Sequence, residues 1–288
     1  MTNPIQPSFQ PIPKVSRSPV HALWALTQRD LRKWYTNPYQ FLISLIQPVI
    51  WLGLFGKAIN FGTIISKSVS SPEVQNAILI SIFGTSSYFS FLSCGVLAFV
   101  VVFTSAFSGM SVVFDRRFGF MNKALSTPVA RGTIVMSKVL QSVLRAVIQA
   151  GIVLVIAVIL GMDTSHFSVA GVIGVFVIMF LMGMGLSALF VMFAIRSSDW
   201  QTQVATINLI NLPLIFASNA LFPLTVMPSW LQTIAKLNPV SYANDATRQL
   251  LLNAPGMVSL WVDFAVLLVF ALALSVIGIV LSWKLLTK

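Results

Sequence analysis

The sequence predicts an all-α integral membrane protein with six transmembrane helices, an N-terminal amphipathic interface helix and outer re-entrant helices between spans five and six. Three observations predict it. Of 288 residues, 57% are hydrophobic and only 9% are Asp, Glu, Lys or Arg, against roughly 25% charged residues in ordinary globular chains. So few charges cannot cover a soluble surface of this size. The apolar residues come in runs long enough to cross a ~30 Å hydrocarbon layer as helices. The basic residues, which bring the net charge to +11, cluster beside those runs, the arrangement of a cytoplasmic membrane flank rather than of a nucleic-acid surface.

The chain opens on residues 1–19, which hold five prolines and no long apolar stretch. They read as a disordered cytoplasmic tail, because no apolar core with a cleavage site follows the charges. From 20 to 36 an interfacial helix is expected. Val20, Leu23, Trp24, Leu31, Trp34 and Tyr35 can share one face, with Gln28, Arg29, Arg32 and Lys33 away from it, which sets the tryptophans at headgroup depth. Asn37-Pro38 would interrupt a continuous helix, so a transmembrane domain over 37–288 begins there.

Its spans are expected near 39–59, 88–113, 136–160, 168–194, 202–222 and 259–284. With both termini cytoplasmic, Lys and Arg divide 14 inside, counting Arg145, to 4 outside (Lys57, Lys67, Lys236 and Arg248). The reverse orientation would break the positive-inside rule, so a multi-pass protein of the plasma membrane with both ends inside is expected. Two outer stretches are unusual. Residues 76–93 are apolar but broken by Ser81, Gly84, Thr85, Ser86 and Ser87, which suits a short approach helix, a seventh span being the other reading. Pro223, Pro228 and Pro239 divide the stretch after span five. Its pieces, Trp230 to Leu237 and Tyr242 to Leu252, are too short to cross and are expected to be re-entrant or interfacial.

Several chemistries are excluded. Gly53-Leu54-Phe55-Gly56-Lys57 lacks the spacing and the Ser or Thr of a phosphate loop, so the chain does not itself hydrolyse ATP. His21 and His166 fall on opposite sides of the membrane, and Cys94 is the single cysteine. No metal site and no catalytic residue is expected. Ion-driven carriers keep ionisable groups at mid-membrane depth, and these spans have essentially none. Arg145, about two turns into span three, reads as a side chain snorkelling to the inner headgroups or as a functional charge.

The connection between spans two and three is the most informative segment. It runs from Asp115 through Arg116, Arg117, Phe118, Gly119, Phe120, Met121 and Lys123 to Leu125 and Pro128. A solvated loop has no need of Phe118, Phe120, Met121 and Leu125 together. Two readings are open: a second interface helix lying against lipid, or a docking helix that inserts its apolar side into a cleft of a cytosolic protein, with Arg and Lys at the rim.

Three segments resemble the ABC-2 type transporter permeases, the membrane subunits of drug, polysaccharide and lipid exporters such as the daunorubicin-resistance type. They are Asn37-Pro38 leading to Gln47-Pro48-Val49-Ile50-Trp51; Asp115-Arg116-Arg117-Phe118-Gly119 followed by Leu125-Ser126-Thr127-Pro128-Val129 and Lys138; and Asn211 to Ser218, Phe222-Pro223-Leu224, Met227 to Leu231, Leu237 to Tyr242 and Arg248. Arg117 stands where the family commonly has Glu, Cys94-Gly95 replaces a frequent Pro-Gly, and Asn219 replaces the usual Gly after Ser218.

The resemblance implies a homodimeric pathway for an amphipathic drug, lipid or glycan, moved outward. A separate cytosolic ATPase would hold the ATP and Mg, and membrane lipids but no nucleic acid would be partners. It implies coupling to the ATPase through Arg116, Arg117, Phe118, Phe120, Lys123 and Leu125, with Trp24, Arg29, Arg32, Lys33 and Trp34 on the interface helix. Phe216, Asn219, Phe222 and Tyr242 would belong to the pathway or outer gate. The alternative is an ion-coupled carrier or channel without an ATPase, or a non-transporting scaffold.

Overall fold

The computed structural model describes residues 18–58, 71–127, 129–197 and 199–285. Of the tail expected over 1–19, residues 1–17 lie outside the described residues, as do Lys67 and Pro128, while Ser18 instead caps and Pro19 begins the first helix. The described chain is helical, without strands. The elements are α1 (Pro19–Tyr35), α2 (Pro38–Trp51, prolonged by a π-helical segment Leu52–Ala58), α3 (Pro72–Phe83), α4 (Tyr88–Arg117), α5 (Phe120–Leu125), α6 (Arg131–Ile159), α7 (Val169–Arg196), α8 (Trp200–Phe216), α9 (Ser229–Leu237), α10 (Pro239–Leu252) and α11 (Leu260–Leu285).

Local chemistry punctuates these helices. Ser18 accepts from the amide of His21 with Pro19 at the first helical position, and Asn37 accepts from Gln40 N with Pro38 in the same place. Both are N-caps with a proline that has no donor to waste. Pro48 removes one rung from the ladder of α2, and the glycine-bearing stretch after it winds as π-helix. Gly84, at φ 69°, closes α3, and Ser87 then caps α4. Residues 76–93 therefore divide at 84–87 into an approach helix and a long one. Asp199 caps α8, and Asn238 caps α10.

Among the described residues, five stretches are long and apolar enough to cross a membrane: Pro38–Lys57, Pro72–Arg117, Arg131–Ile159, Val169–Arg196 and Leu260–Leu281. The helix expected over 202–222 is shorter. α8 ends at Phe216, four residues after Leu212 and just past the interior Pro213. The side-chain amide of Asn238 donates to the carbonyls of Leu214 and Ala217 at 3.0 and 2.7 Å, so the free end of α8 is satisfied from the next element and need not continue. Re-entrant geometry apart, the two pieces expected beyond it are helices, α9 and α10.

α4 is the axis of the bundle. It is buried along nearly its whole length, packed by α6, α7, α8 and α10, and α7 in turn carries α11. Small residues permit these approaches, as is usual where helices pack without a solvent-driven force. A Cβ on Gly95 would lie 2.3 Å from the carbonyl oxygen of Ala220, so α4 passes directly against the backbone beyond α8. The end of the bundle where α4 meets α5 and α6 is termed the linker end, and the end carrying α3, α9 and α10 the far end.

Candidate functional site

At the linker end, four charged side chains from three helices meet. Lys138 of α6, 3% exposed, has its ammonium 2.5 Å from Asp30 of α1 and also bonds Asp115 of α4. Arg29 donates from Nε to Asp30 at 2.8 Å and lies 3.4 Å from Asp115. The exposed Lys33 adds a longer contact to Asp30 at 3.7 Å; the inner two cations and two carboxylates offset one another, which buried charges need because each alone has a large desolvation cost. Burial pushes the Asp30 carboxyl up, but the Lys138 ammonium and then the Arg29 guanidinium outweigh it and hold the group below the usual carboxylate range.

This cluster carries the linker. Gly119, at φ 73°, turns the chain out of α4, and α5 follows with Met121 and Ala124 buried. The Arg29 guanidinium sits 3.6 Å from the ring centroid of Phe120. Arg116 donates to the carbonyls of Ile195 and Ser197 at 2.8 and 3.0 Å, a cation on the carbonyl end of α7 where the helix dipole favours it. What remains in the open is Arg117, Lys123 and Phe118, the last 78% exposed. They are exposed basic and aromatic side chains on a linker that is held from below.

Beside the cluster, a cavity of about 480 Å³ opens between α1, α2, α4 and α6. Trp34, Trp51, Phe103 and Phe107 contribute to its apolar wall, and Gln141, Arg145 and Gln149 line it from α6. At the far end, Arg248 of α10 is buried. It bonds the carbonyls of Phe91, Asn219 and Ala220 and stacks 3.5 Å from the Phe91 ring. One side chain thereby ties α10 to the start of α4 and to the bend after α8.

The ABC-2 type transporter family matches residues 21–252 of this chain, which takes in the linker, the cavity and the far-end tie. The chain belongs to that family. Among its relatives, the putative transport permease ycf38 of Pyropia yezoensis is 31% identical over 243 residues, 84% of this chain and 78% of its own. The daunorubicin resistance ABC transporter permease protein DrrB1 of Streptomyces coeruleorubidus is 26% identical over 172 residues, 60% of each chain. The probable multidrug ABC transporter permease YbhR of Escherichia coli K12 is 27% identical over 155 residues, 54% of this chain and 41% of its own. The chain is an ABC-2 type transmembrane transport permease.

In this ABC-2 permease the expected coupling residues separate into two groups. Arg117, Phe118 and Lys123 are exposed, while Arg116 and Phe120 are engaged inside the protein. Leu125 closes α5, and its side chain is outside the described residues. The interface helix is turned from its expected setting. Its buried stripe is Thr27, Asp30 and Trp34, one edge of the apolar face, because Asp30 is drawn to Lys138 and Trp34 packs 5.1 Å from the Phe41 ring. Trp24 on the other edge is exposed, as are Arg32 and Lys33. Of the expected pathway residues, Asn219 is buried, with its carbonyl held by Arg248. The Tyr242 hydroxyl donates to Lys236 O at 2.7 Å, and Phe216 and Phe222 face outward. None of the four lines the cavity.

Sequence reasoning missed Asp30, Asp115 and Lys138 as a unit. A signal was present: the flanks expected inside hold three acids, Asp30, Asp115 and Asp199, among many cations, and two of the three sit in the cluster.

Proposed function

We propose that this chain is the permease subunit of an ATP-driven exporter, two copies of it forming the path and a separate cytosolic ATPase docking on the linker end. That end then faces the cytoplasm of a plasma-membrane protein with both termini inside. α8, with the bend after it, makes the sixth crossing, and α9 and α10 are re-entrant on the outer side. The substrate is an amphipathic drug, lipid or glycan. The carrying observation is the exposed Arg117, Phe118 and Lys123 set on a linker that Arg29 and the Asp30–Lys138–Asp115 cluster bind to α1, α4 and α6. A linker so fixed transmits a push from a docked ATPase to three helices at once, because packed elements move as rigid bodies.

The test is co-expression with a cytosolic ABC ATPase, followed by co-purification and ATP-dependent transport in proteoliposomes. Wild type retains the ATPase, and Arg117→Glu with Lys123→Glu loses it while the permease stays folded. Full complex formation and transport in that double variant would contradict the docking.

A further inference from the structure

We propose that the cavity between α1, α2, α4 and α6 binds an anionic amphiphile, a phosphate or carboxylate head on an acyl-type tail, with Arg145 as the counter-charge of the head. Arg145 is the observation that leads there. Its guanidinium lies 5.2 Å from the Trp34 ring, and its Nε is buried without a hydrogen-bond partner. No ion pair to a carboxylate is formed by it among the described residues. The side chain is half-buried, and an arginine keeps its proton there, so the cavity wall carries a positive charge that no described carboxylate of the protein offsets. The two buried cations among the described residues are by contrast served: Lys138 by Asp30 and Asp115, Arg248 by three backbone carbonyls.

The surroundings define the chemistry. Asp30 and Asp115 also reach the cavity wall, but Lys138 and Arg29 hold them. A cationic guest would meet Arg145 with like charge, and a neutral one would leave it uncompensated. A phosphate or carboxylate takes the forked donors of a guanidinium in pairs. Gln141 and Gln149 lie one turn either way on the same helix, on the face that Arg145 presents. Ile43 and Trp51 of α2 with Phe103 and Phe107 of α4 supply the apolar wall for a tail. Ile43 is mostly exposed on the outer surface of the bundle, so the tail has a way out toward lipid. The volume, about 480 Å³, falls in the range of ligand pockets. Binding rests on the cavity alone; that the guest is cargo rests on the exporter reading above.

The test uses the purified full chain in phosphatidylcholine nanodiscs, with tryptophan fluorescence as the signal because Trp34 and Trp51 line the cavity. Dodecyl phosphate is expected to give a saturable change, and dodecyl phosphocholine and inorganic phosphate none. Arg145→Gln weakens binding by about tenfold or more, the loss of a charge-assisted hydrogen bond, and Arg145→Lys recovers part of it. Equal binding of the zwitterionic probe, equal binding of inorganic phosphate, or unchanged binding in Arg145→Gln would each overturn the proposal. Should Arg145→Gln not purify folded, Ser44→Phe fills the cavity with Arg145 intact; it is expected to abolish saturation, and unchanged binding there overturns the proposal as well. Both sources of such a guest share this chemistry. Competition by phosphatidylglycerol added to the nanodiscs supports the site and assigns it to bilayer lipid, and persistence of dodecyl phosphate binding supports it and assigns it to cargo. No ATPase is in the assay, so failed binding leaves the exporter reading standing, and failed ATPase capture leaves the binding standing.

Discussion

Arg29 of α1 lies with its guanidinium 3.6 Å from the ring centroid of Phe120 in α5 while its Nε holds Asp30. One side chain therefore joins the linker to the charge cluster beneath it. The linker is not a loop resting on the bundle but an extension of three helices, and the consequences can be separated residue by residue.

Lys138→Met removes the buried cation that two carboxylates share. Breaking a buried pair from one side costs about 3–5 kcal/mol. The expected outcome is a large fall in the midpoint of thermal unfolding of the detergent-solubilised protein, read by size-exclusion chromatography after heating. Lys138→Arg should recover part of the fall.

Phe120→Ala and Phe118→Ala should differ although both remove a linker aromatic. Phe120 carries the Arg29 contact and Phe118 is mostly exposed. A partly desolvated cation–π contact is worth about 1–2 kcal/mol. Stability is expected to drop for Phe120→Ala and hold for Phe118→Ala, while ATPase capture drops for both.

Acid should reach the cluster only late. Burial raises Asp30, yet Lys138 and Arg29 together hold its carboxyl below the usual range. A depressed carboxyl stabilises the fold fully above its unfolded value, about 3.9, and the contribution disappears as pH falls through the lower folded value. The stability difference between wild type and Asp30→Asn is thus expected to stay constant from pH 7 to about pH 5 and to shrink below about pH 4. Thermal midpoints across that range check it.

At the far end, Gly95→Ala places a Cβ 2.3 Å from the Ala220 carbonyl oxygen, whereas a Cβ on Gly53 meets nothing within 4 Å. Overpacking against backbone costs about 1–3 kcal/mol. Gly95→Ala is expected to lower the thermal midpoint, and Gly53→Ala to leave it unchanged or raised.

Features decided by neighbours in sequence were legible. Asn37-Pro38 contains its own cap and its own stop, Asn238-Pro239 starts α10 in the same way, and Pro228 precedes α9 without a side-chain cap. The linker residues stood out by chemistry, and the glycine that turns them lies among them. What could not be read was decided at a distance. Lys138 and Asp30 are 108 positions apart, and that pairing rotates α1 onto the edge of its apolar face. α8 stops at Phe216 because Asn238, more than twenty residues on, takes its last carbonyls. Periodicity carries no information about such partners. Arg145 was visible as a charge inside a span, but its lack of a counter-ion is a property of the packed helices.

The docking of an ATPase on the linker end is tested most directly by cross-linking from Phe118→Cys. Cys94, the native cysteine, is fully buried in α4, so a cysteine at the exposed position 118 is the reactive one. In cells co-expressing the ATPase, a short thiol-to-amine cross-linker is expected to join the two chains from position 118, and a cysteine at exposed Trp261 near the far end is expected to give no such product. Cross-linking from 261 and none from 118 would contradict it.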